Sequence, residues 1–407
     1  MQAKALAAEQ AFKRSTASRN RPPPHPFVVA EDALRRLVGT QTSQTIVVSG
    51  QSGAGKTETS KQLMLFLTHV STSSQEPSGI IPDKAVGINS HCSAPRTVAE
   101  QRTEVAALLS GVQTQNEATE LRNRIVSCNA IFESFGNAAT RRNQNSSRVG
   151  RLTLLHFDNG GLLRGGSLKT YLLEAARITA HKKGDRNFHV FYQLLRGVSD
   201  EERNFMGLTK NTNDYRILRP GNSDKFLQKL FSREVQPDAV QQSDGDADQE
   251  SAQFPLEVDQ KNFKLLVEAF RRAEFSVSEI NELLQLLAGL LHLSNATFVK
   301  RKGDFLELQD QDSEEAIKKA GSLLGIDVHQ LEESLRCRHM LLKEDVLFTC
   351  RNEQQSISVR CSLIKFIYSR LFGYIVQRLN DSAARYMGES EKHPKKGYEH
   401  RKTIGSE

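Results

Sequence analysis

The sequence predicts an α/β fold, and two observations carry that prediction. A strand-like run, TIVV at residues 45–48, leads through the glycine-rich stretch SGQSGAGK into a helix-like run, KQLMLFL, at 61–67. Farther along, the strand-like run LTLLHF at 152–157 ends at the turn signal DNGG, and amphipathic helical patterns dominate the remainder. Strands and helices are therefore both expected.

Helix boundaries follow from capping residues. Ser276 and Glu279 have capping-box spacing before an apolar run, which predicts a helix start there. A helix over 314–324 is expected to stop at Gly325, and Asp327 can cap the next one. Further helical patterns lie at 30–38, at 185–196 with Asp185 as N-cap, and at 357–379, after which the pattern dissolves beyond Asn380.

Composition shifts suggest the domain organisation. Residues 1–26 are predicted to be a basic, proline-rich leader, 27–380 an ordered domain, and 381–407 a polar, basic and disordered tail. The stretch 71–118 is rich in Ser, Thr, Gln and Glu and is predicted to be a long surface insertion. The acidic stretch 236–260 lacks the ligand spacing of an EF-hand, so a solvated loop is expected.

Bulk composition excludes several protein classes. The 407 residues are 38% hydrophobic, and no apolar run approaches the roughly eighteen residues that a membrane span needs. No signal peptide is evident, and five scattered cysteines suggest reduced thiols in an intracellular protein. The net charge of +7 fits either an anionic partner or a solvated surface. No aromatic residues interleave with the basic ones, so nucleic-acid binding is not expected.

The stretch GQSGAGKT at residues 50–57, called the P-loop below, fits the pattern G-x-x-x-x-G-K-[ST] completely. Its glycines let backbone N–H groups turn toward phosphate oxygens, and the following helix adds its positive dipole end. Lys56 is expected to bridge the β- and γ-phosphates and Thr57 to hold Mg²⁺. A flexible glycine turn is the alternative interpretation.

A P-loop alone fits GTPases, nucleotide kinases and motor ATPases. The polar loop NQNSSRVGR at 143–151 is the best candidate for a second group at the γ-phosphate, because it offers amides, two hydroxyls and a fixed cation. An ordinary polar turn is its alternative. The sequence has no guanine-reading N-K-x-D motif, so a GTPase or kinase is the least favoured of these classes. His189 has no nearby partner in sequence and is predicted to serve packing or hydrogen bonding.

These motifs resemble those of the myosin motor head. SGQSGAGKTETSK resembles the myosin P-loop, and NQNSSRVGR resembles its switch I, so residues 143–151 are called the switch I-like segment below. Five longer stretches, which fall in the myosin order and together cover most of residues 23–380, extend the resemblance: PPPHPFVVAEDALRRL, CNAIFESFGNAATRRNQNSSRVGRL, YLLEAARITAHKKGDRNFHVFYQLLRG, LLQLLAGLLHLSNATF and IKFIYSRLFGYIVQRLN.

The resemblance implies a P-loop NTPase-type fold, with a mixed, mostly parallel central sheet and a large helical subdomain like the myosin upper 50-kDa region. It implies ATP and Mg²⁺ as cofactors and an actin filament as partner, with a cytoplasmic, cytoskeleton-associated location. The implied nucleotide-binding residues are Gly50, Gln51, Ser52, Gly53, Ala54, Gly55, Lys56, Thr57, Glu58 and Asn143. The implied metal ligands are Thr57 and Ser147, and the implied catalytic residues are Lys56, Asn143, Ser146, Ser147 and Arg148.

Departures from the family pattern are mild inside the motifs and larger at the ends. Gln51 stands where Glu is usual and Val149 where Phe is usual. The sequence stops at Glu407, before the family's switch II motif, whose glutamate pairs with this arginine in myosins, so Arg148 is expected to have no ion-pair partner. The expectation is a chain that binds Mg·ATP without motor-like hydrolysis, with half of the actin-binding cleft missing and light chains not expected. The alternative is a non-motor nucleotide-binding or regulatory module.

Overall fold

The computed structural model describes residues 25–73, 120–219, 255–301, 305–342 and 345–384. Its first part consists of two helices, α1 (Pro26–Thr40) and α2 (Lys56–Ser73), joined by the P-loop region. His25 caps α1 by accepting a hydrogen bond from the Phe27 N–H, and Pro26 fits the first helical position because its missing N–H would be unpaired there. The two helices pack through Ala30, Leu63 and Phe66, and Phe27 stacks on Phe66.

Residues 45–48 do not form the predicted strand, so that prediction is wrong. Ile46 and Val48 are partly buried against the α1–α2 cluster whereas Val47 is 81% exposed, so the run has the alternating exposure of an extended segment. It has no hydrogen-bonded partner strand within the part of the chain that the structure describes. The apolar run predicts a buried face correctly, but a strand also needs a neighbour, which the local sequence does not specify.

All of the strand pairs among the described residues are antiparallel and two-stranded. Strands β1 (Asn137–Thr140) and β2 (Asn143–Ser147) follow the helical residues 120–136, called α3, and pair as a hairpin with a bulge. Residues 143–147 were predicted to lie in a loop, and that is wrong because they pair with β1. Strands β3 (Gly150–Phe157) and β4 (Leu163–Tyr171) form the longest ladder and confirm the predicted turn at 158–161. The mixed α/β composition is confirmed, whereas a mostly parallel central sheet is not found in the described ranges.

Helices supply most of the core. The helices after β4 are α4 (Ala176–Thr179), α5 (His189–Gly197), α6 (Asp200–Phe205), α7 (Leu256–Arg272), α8 (Val277–Asn295), α9 (Gln311–Leu324), α10 (Val328–Arg336) and α11 (Glu353–Ala384). Short 3₁₀ turns lie at Thr212–Asp214 and Arg216–Leu218, and antiparallel pairs are formed by β5 (Phe298–Lys300) with β6 (Leu306–Leu308) and by β7 (Cys337–Leu342) with β8 (Asp345–Cys350). Tyr368 lies at the centre of the core, fully buried, with its ring stacked on Phe188 and Phe191.

The structure confirms three of the four predicted caps. Ser276 and Glu279 form the capping box of α8, Gly325 ends α9 in the left-handed conformation, and Asp327 caps α10. The fourth is wrong: α5 begins at His189, and Asp185 instead accepts from the Arg141 N–H and pairs with Arg177.

Several predictions fall partly or wholly outside the described residues. These include the leader up to residue 24, most of the insertion at 71–118, the acidic stretch up to 254 and the tail from 385 onward. The domain boundaries therefore stay predictions, although α11 continues to Ala384, past the predicted end of the helical pattern. No helix in the described ranges is both long enough and apolar enough to cross a membrane.

Candidate functional site

The P-loop owes its shape to glycines. Gly53 and Gly55 have φ values of +84° and +86°, a region that residues with a Cβ rarely adopt. A Cβ added at either position would meet nothing within 4 Å, so conformation and not crowding requires glycine there. The Thr59 N–H donates to the Gly55 carbonyl, which makes Gly55 the link between the loop and α2.

The start of α2 places hydrogen-bond donors next to the P-loop. Because α2 begins at Lys56, the N–H groups of its first turn lack intrahelical acceptors and point out of the helix end. The Lys56 Nζ donates to the carbonyl oxygens of Gly50 and Gln51, both at 2.6 Å. Its partners are neutral, so an anion at the loop would compete for the ammonium group with a stronger, charge-assisted hydrogen bond.

The remaining P-loop positions are open to solvent or half-buried. Gln51, Ser52 and Ala54 are exposed, and the Ala54 N–H donates to the Gln51 carbonyl. Thr57 is half-buried in the first turn of α2, and Glu58 is exposed beside Lys61. The loop therefore presents backbone N–H groups, one ammonium group and the two hydroxyl groups of Ser52 and Thr57 at the surface of the protein.

The switch I-like segment is held by its own polar groups. The Asn143 carboxamide oxygen accepts from the Asn145 N–H at 3.0 Å, which forms a local turn. Ser146 is 5% exposed and accepts a hydrogen bond from Arg148 at 2.8 Å, whereas Ser147 is exposed and donates to the Val149 carbonyl. Of the two hydroxyl groups, that of Ser147 is thus the more accessible.

Arg148 has an ion-pair partner, contrary to expectation. Its guanidinium lies 3.3 Å from the Glu174 carboxylate, which also accepts from the Nε of Arg177 at 3.0 Å. The backbone reinforces this pairing, since the Glu174 N–H donates to the Arg148 carbonyl and the Arg148 N–H donates to the Gly136 carbonyl. The expected lack of a partner was wrong because Glu174, three residues after the end of β4, lies at the same end of the β3–β4 ladder as Arg148.

A polar network that sequence reasoning missed connects the P-loop helix to the switch I-like segment. The Glu133 carboxylate on α3 pairs with Lys61 on α2 and accepts from the Asn145 amide at 3.4 Å. The Asn145 carboxamide oxygen also accepts from Asn137 at 2.9 Å and lies 3.3 Å from the His189 Nε2. The one sequence signal was a lone carboxylate inside the apolar run at 131–135.

His189 has the structural role that was predicted. It is buried, and burial together with the neighbouring Arg186 lowers the pKa of its imidazole to about 3. It is therefore neutral at physiological pH and serves as a hydrogen-bonding partner of Asn145.

The donor set fits a magnesium–phosphate ligand better than a metal ion held by protein alone. The described part of the chain contains no group of three or more His, Cys, Asp and Glu side chains that could hold a metal ion. Mg²⁺ commonly takes few protein ligands and completes its shell with waters and substrate phosphates. The Thr57 and Ser147 hydroxyl groups suit that role, and the P-loop amides and Lys56 suit the phosphates.

Comparisons with known proteins identify a family for this chain. The model of the myosin head (motor domain) family matches residues 6–393. Unconventional myosin IC of Drosophila melanogaster is 31% identical over 360 residues, which cover 88% of this chain and 28% of that protein. Unconventional myosin-Ic of Mus musculus is 30% identical over 368 residues, or 90% of this chain and 28% of that protein. Myosin-1 of Saccharomyces cerevisiae is 31% identical over 360 residues, which cover 88% of this chain and 15% of that protein.

The match covers nearly the whole of this chain, although the chain spans less than a third of the length of these relatives. The P-loop, the switch I-like segment and the helical core all lie within the matched range. The chain belongs to the myosin head (motor domain) family.

Proposed function

We propose that this chain binds Mg·ATP between its P-loop and its switch I-like segment, as the nucleotide-binding part of an actin-based cytoskeletal motor. The observation that carries the proposal is the P-loop itself, which runs through glycines at positive φ into the start of α2, where Lys56 is paired only with loop carbonyls in the described structure. Glu133 supports it, because it ties α2 to the switch I-like segment and so keeps the two proposed halves of the site together.

The residues have separate proposed roles. Lys56 contacts the β- and γ-phosphates, the amides of the loop from Gly50 to Glu58 surround the phosphate chain, and Asn143 contacts the nucleotide. Thr57 and Ser147 hold Mg²⁺, which when bound neutralises phosphate charge. Ser146 lies near the γ-phosphate, and Arg148 fixes Ser146 through its hydrogen bond.

An actin filament as partner and a cytoplasmic, cytoskeleton-associated location are proposed from family membership alone. The relatives are named as myosins, and this chain matches only part of their length. Actin binding and force generation are therefore proposed for the motor to which this sequence corresponds, and nucleotide binding is proposed for the chain itself.

Nucleotide binding is testable by titrating the purified chain with a fluorescent ATP analogue in the presence of Mg²⁺. Lys56→Ala is expected to raise the Kd about 10–100-fold, because it removes a charge-assisted hydrogen bond worth about 1.5–3 kcal/mol. Lys318→Ala removes an equal charge from α9, where Lys318 is 69% exposed, and is expected to leave the Kd unchanged. Equal affinities of the two variants would refute the assignment of Lys56.

The metal ligands are tested by the same titration with and without EDTA. Thr57→Val and Ser147→Ala are each expected to weaken binding in Mg²⁺ and to have little effect in EDTA, where no metal is held. A loss that is equal in both buffers would mean that these hydroxyl groups support the loop and do not bind the metal.

A further inference from the structure

The β7–β8 hairpin, which the nucleotide site does not use, carries two cysteines in direct register. Cys337 is the first residue of β7 and Cys350 the last residue of β8, and the two are cross-strand partners. The register runs without a shift from this pair to Leu342 and Asp345. Both thiols are free and partly exposed.

The hydrogen-bond pattern gives the type of this cross-strand pair. The Arg351 N–H donates to the Arg336 carbonyl at 2.8 Å, one residue outside the cysteines. Hydrogen-bonded and non-hydrogen-bonded pairs alternate along an antiparallel ladder, so Cys337 and Cys350 form a non-hydrogen-bonded pair. Such pairs have Cα atoms about 4.5 Å apart and side chains close together. Disulfides form at Cα separations of about 4.4–6.8 Å, so no backbone movement is required.

The two thiols already interact. Burial raises the pKa of the Cys337 thiol, and Cys350 raises it further through charge repulsion and a hydrogen bond between the thiols. Arg336 acts in the opposite direction and Glu333 in the same direction as Cys350. The Cys337 thiol is therefore within interaction distance of Cys350.

The surroundings of the pair are basic. Arg336 and Arg351 lie next to the two cysteines in the chain, and Arg338 follows Cys337 on the exposed side of β7. Arg336 is paired with Glu332, and Arg351 donates to the Ser334 carbonyl. An exposed guanidinium such as that of Arg338 can pair with a carboxylate of an oxidant.

We propose that Cys337 and Cys350 form a redox-active dithiol, which glutathione disulfide converts to an intrachain disulfide. The thiolate of one cysteine attacks a sulfur of glutathione disulfide, forms a mixed disulfide and releases one glutathione thiolate. The second cysteine attacks the protein sulfur of the mixed disulfide and releases the second glutathione. The two thiol protons go to the two released thiolates, so two protein thiols are oxidised and one small disulfide is reduced to two thiols.

The test uses the full chain, reduced and then equilibrated with defined ratios of reduced to oxidised glutathione. Acid quenching, thiol alkylation and peptide mass mapping identify each product, and the mapping separates Cys92 from the proposed pair. We expect the Cys337–Cys350 peptide to lose two hydrogens, and the intrachain disulfide to exceed mixed disulfide by about tenfold, since the second thiol is held in place.

Single substitutions provide the matched control. In Cys337→Ser the remaining Cys350 is expected to retain glutathione as a stable mixed disulfide, and Cys350→Ser is expected to do the same at Cys337. The buried Cys128 and Cys361 serve as internal references and should remain unmodified in the folded chain. Mixed disulfides that persist at both positions in the unsubstituted chain, or the absence of any reaction, would overturn the proposal.

Discussion

Replacing Tyr368 with Phe is expected to destabilise the chain through a single hydroxyl group at the end of α3. The last carbonyl groups of a helix lack intrahelical donors and need other partners. The Phe135 carbonyl obtains one from the Tyr368 hydroxyl at 2.8 Å, and the next carbonyl, that of Gly136, accepts from the Arg148 N–H at 2.7 Å. Tyr368 thus completes the same helix end from which the switch I-like segment is held.

The magnitude follows from what the substitution leaves behind. Phe retains the ring, so the stacking of residue 368 on Phe188 at 5.2 Å between ring centroids is retained. Burial raises the pKa of Tyr368 well above its ordinary value, so the hydroxyl is a donor throughout the accessible pH range. Tyr368→Phe therefore leaves a buried carbonyl without its donor, which costs about 1–3 kcal/mol of unfolding free energy.

The assay is urea unfolding followed by far-ultraviolet circular dichroism, since the sequence contains no tryptophan. Tyr374→Phe on the same helix is the matched control, because its hydroxyl donates to Glu279 but the residue is 43% exposed. Water can replace that bond, so its cost should stay below about 0.5 kcal/mol. If the two variants unfold at the same urea concentration, the capping role of Tyr368 is refuted.

Three further predictions concern pH, close packing and the polar network. Burial and Arg177 lower the pKa of His181 to about 4. As pH falls below about 6.5, only the unfolded state therefore gains the proton at this residue. The free energy of unfolding should fall by up to about 1.4 kcal/mol per pH unit through His181. Urea midpoints at successive pH values should fall less steeply in His181→Phe, and the depressed pKa of His189 should account for a remaining slope. A Cβ at Gly136 would lie 2.7 Å from Val149, so Gly136→Ala should weaken nucleotide binding and lower stability by about 1–3 kcal/mol, whereas Gly373→Ala, with open space, should not. Glu133→Gln should weaken nucleotide binding several-fold in the same titration, and Glu120→Gln on the same helix should not.

The elements that local chemistry determines were predictable from the sequence. The α8 capping box, the left-handed Gly325 and the Asp327 cap each depend on residues within four positions of one another, so their spacing in the sequence is sufficient. The conformation of the P-loop glycines was predictable for the same reason, because their positive φ values depend only on the loop itself.

The elements that depend on distant neighbours were not predictable. Residues 45–48 have the β-branched composition of a strand, but pairing requires a second segment that their own sequence does not identify. Residues 143–147 are the opposite case. Their polar sequence predicts a loop, but the segment forms a strand that pairs with β1. Glu133 was missed for the same reason: its partners, Lys61 and Asn145, lie on two other elements.

Arg148 illustrates why a family resemblance alone gives an incomplete account of a side chain. The resemblance implies a glutamate from a later motif as its partner, whereas the fold supplies Glu174 from the end of β4. Glu174 is 42% exposed and also pairs with Arg177, which is itself held by Asp185. An ion pair this exposed contributes about 0–1 kcal/mol, so Arg148 can leave Glu174 at little cost, and the carboxylate would still be paired with Arg177. The hydrogen bond to Ser146 then remains, and it keeps the Arg148 guanidinium beside the proposed γ-phosphate position.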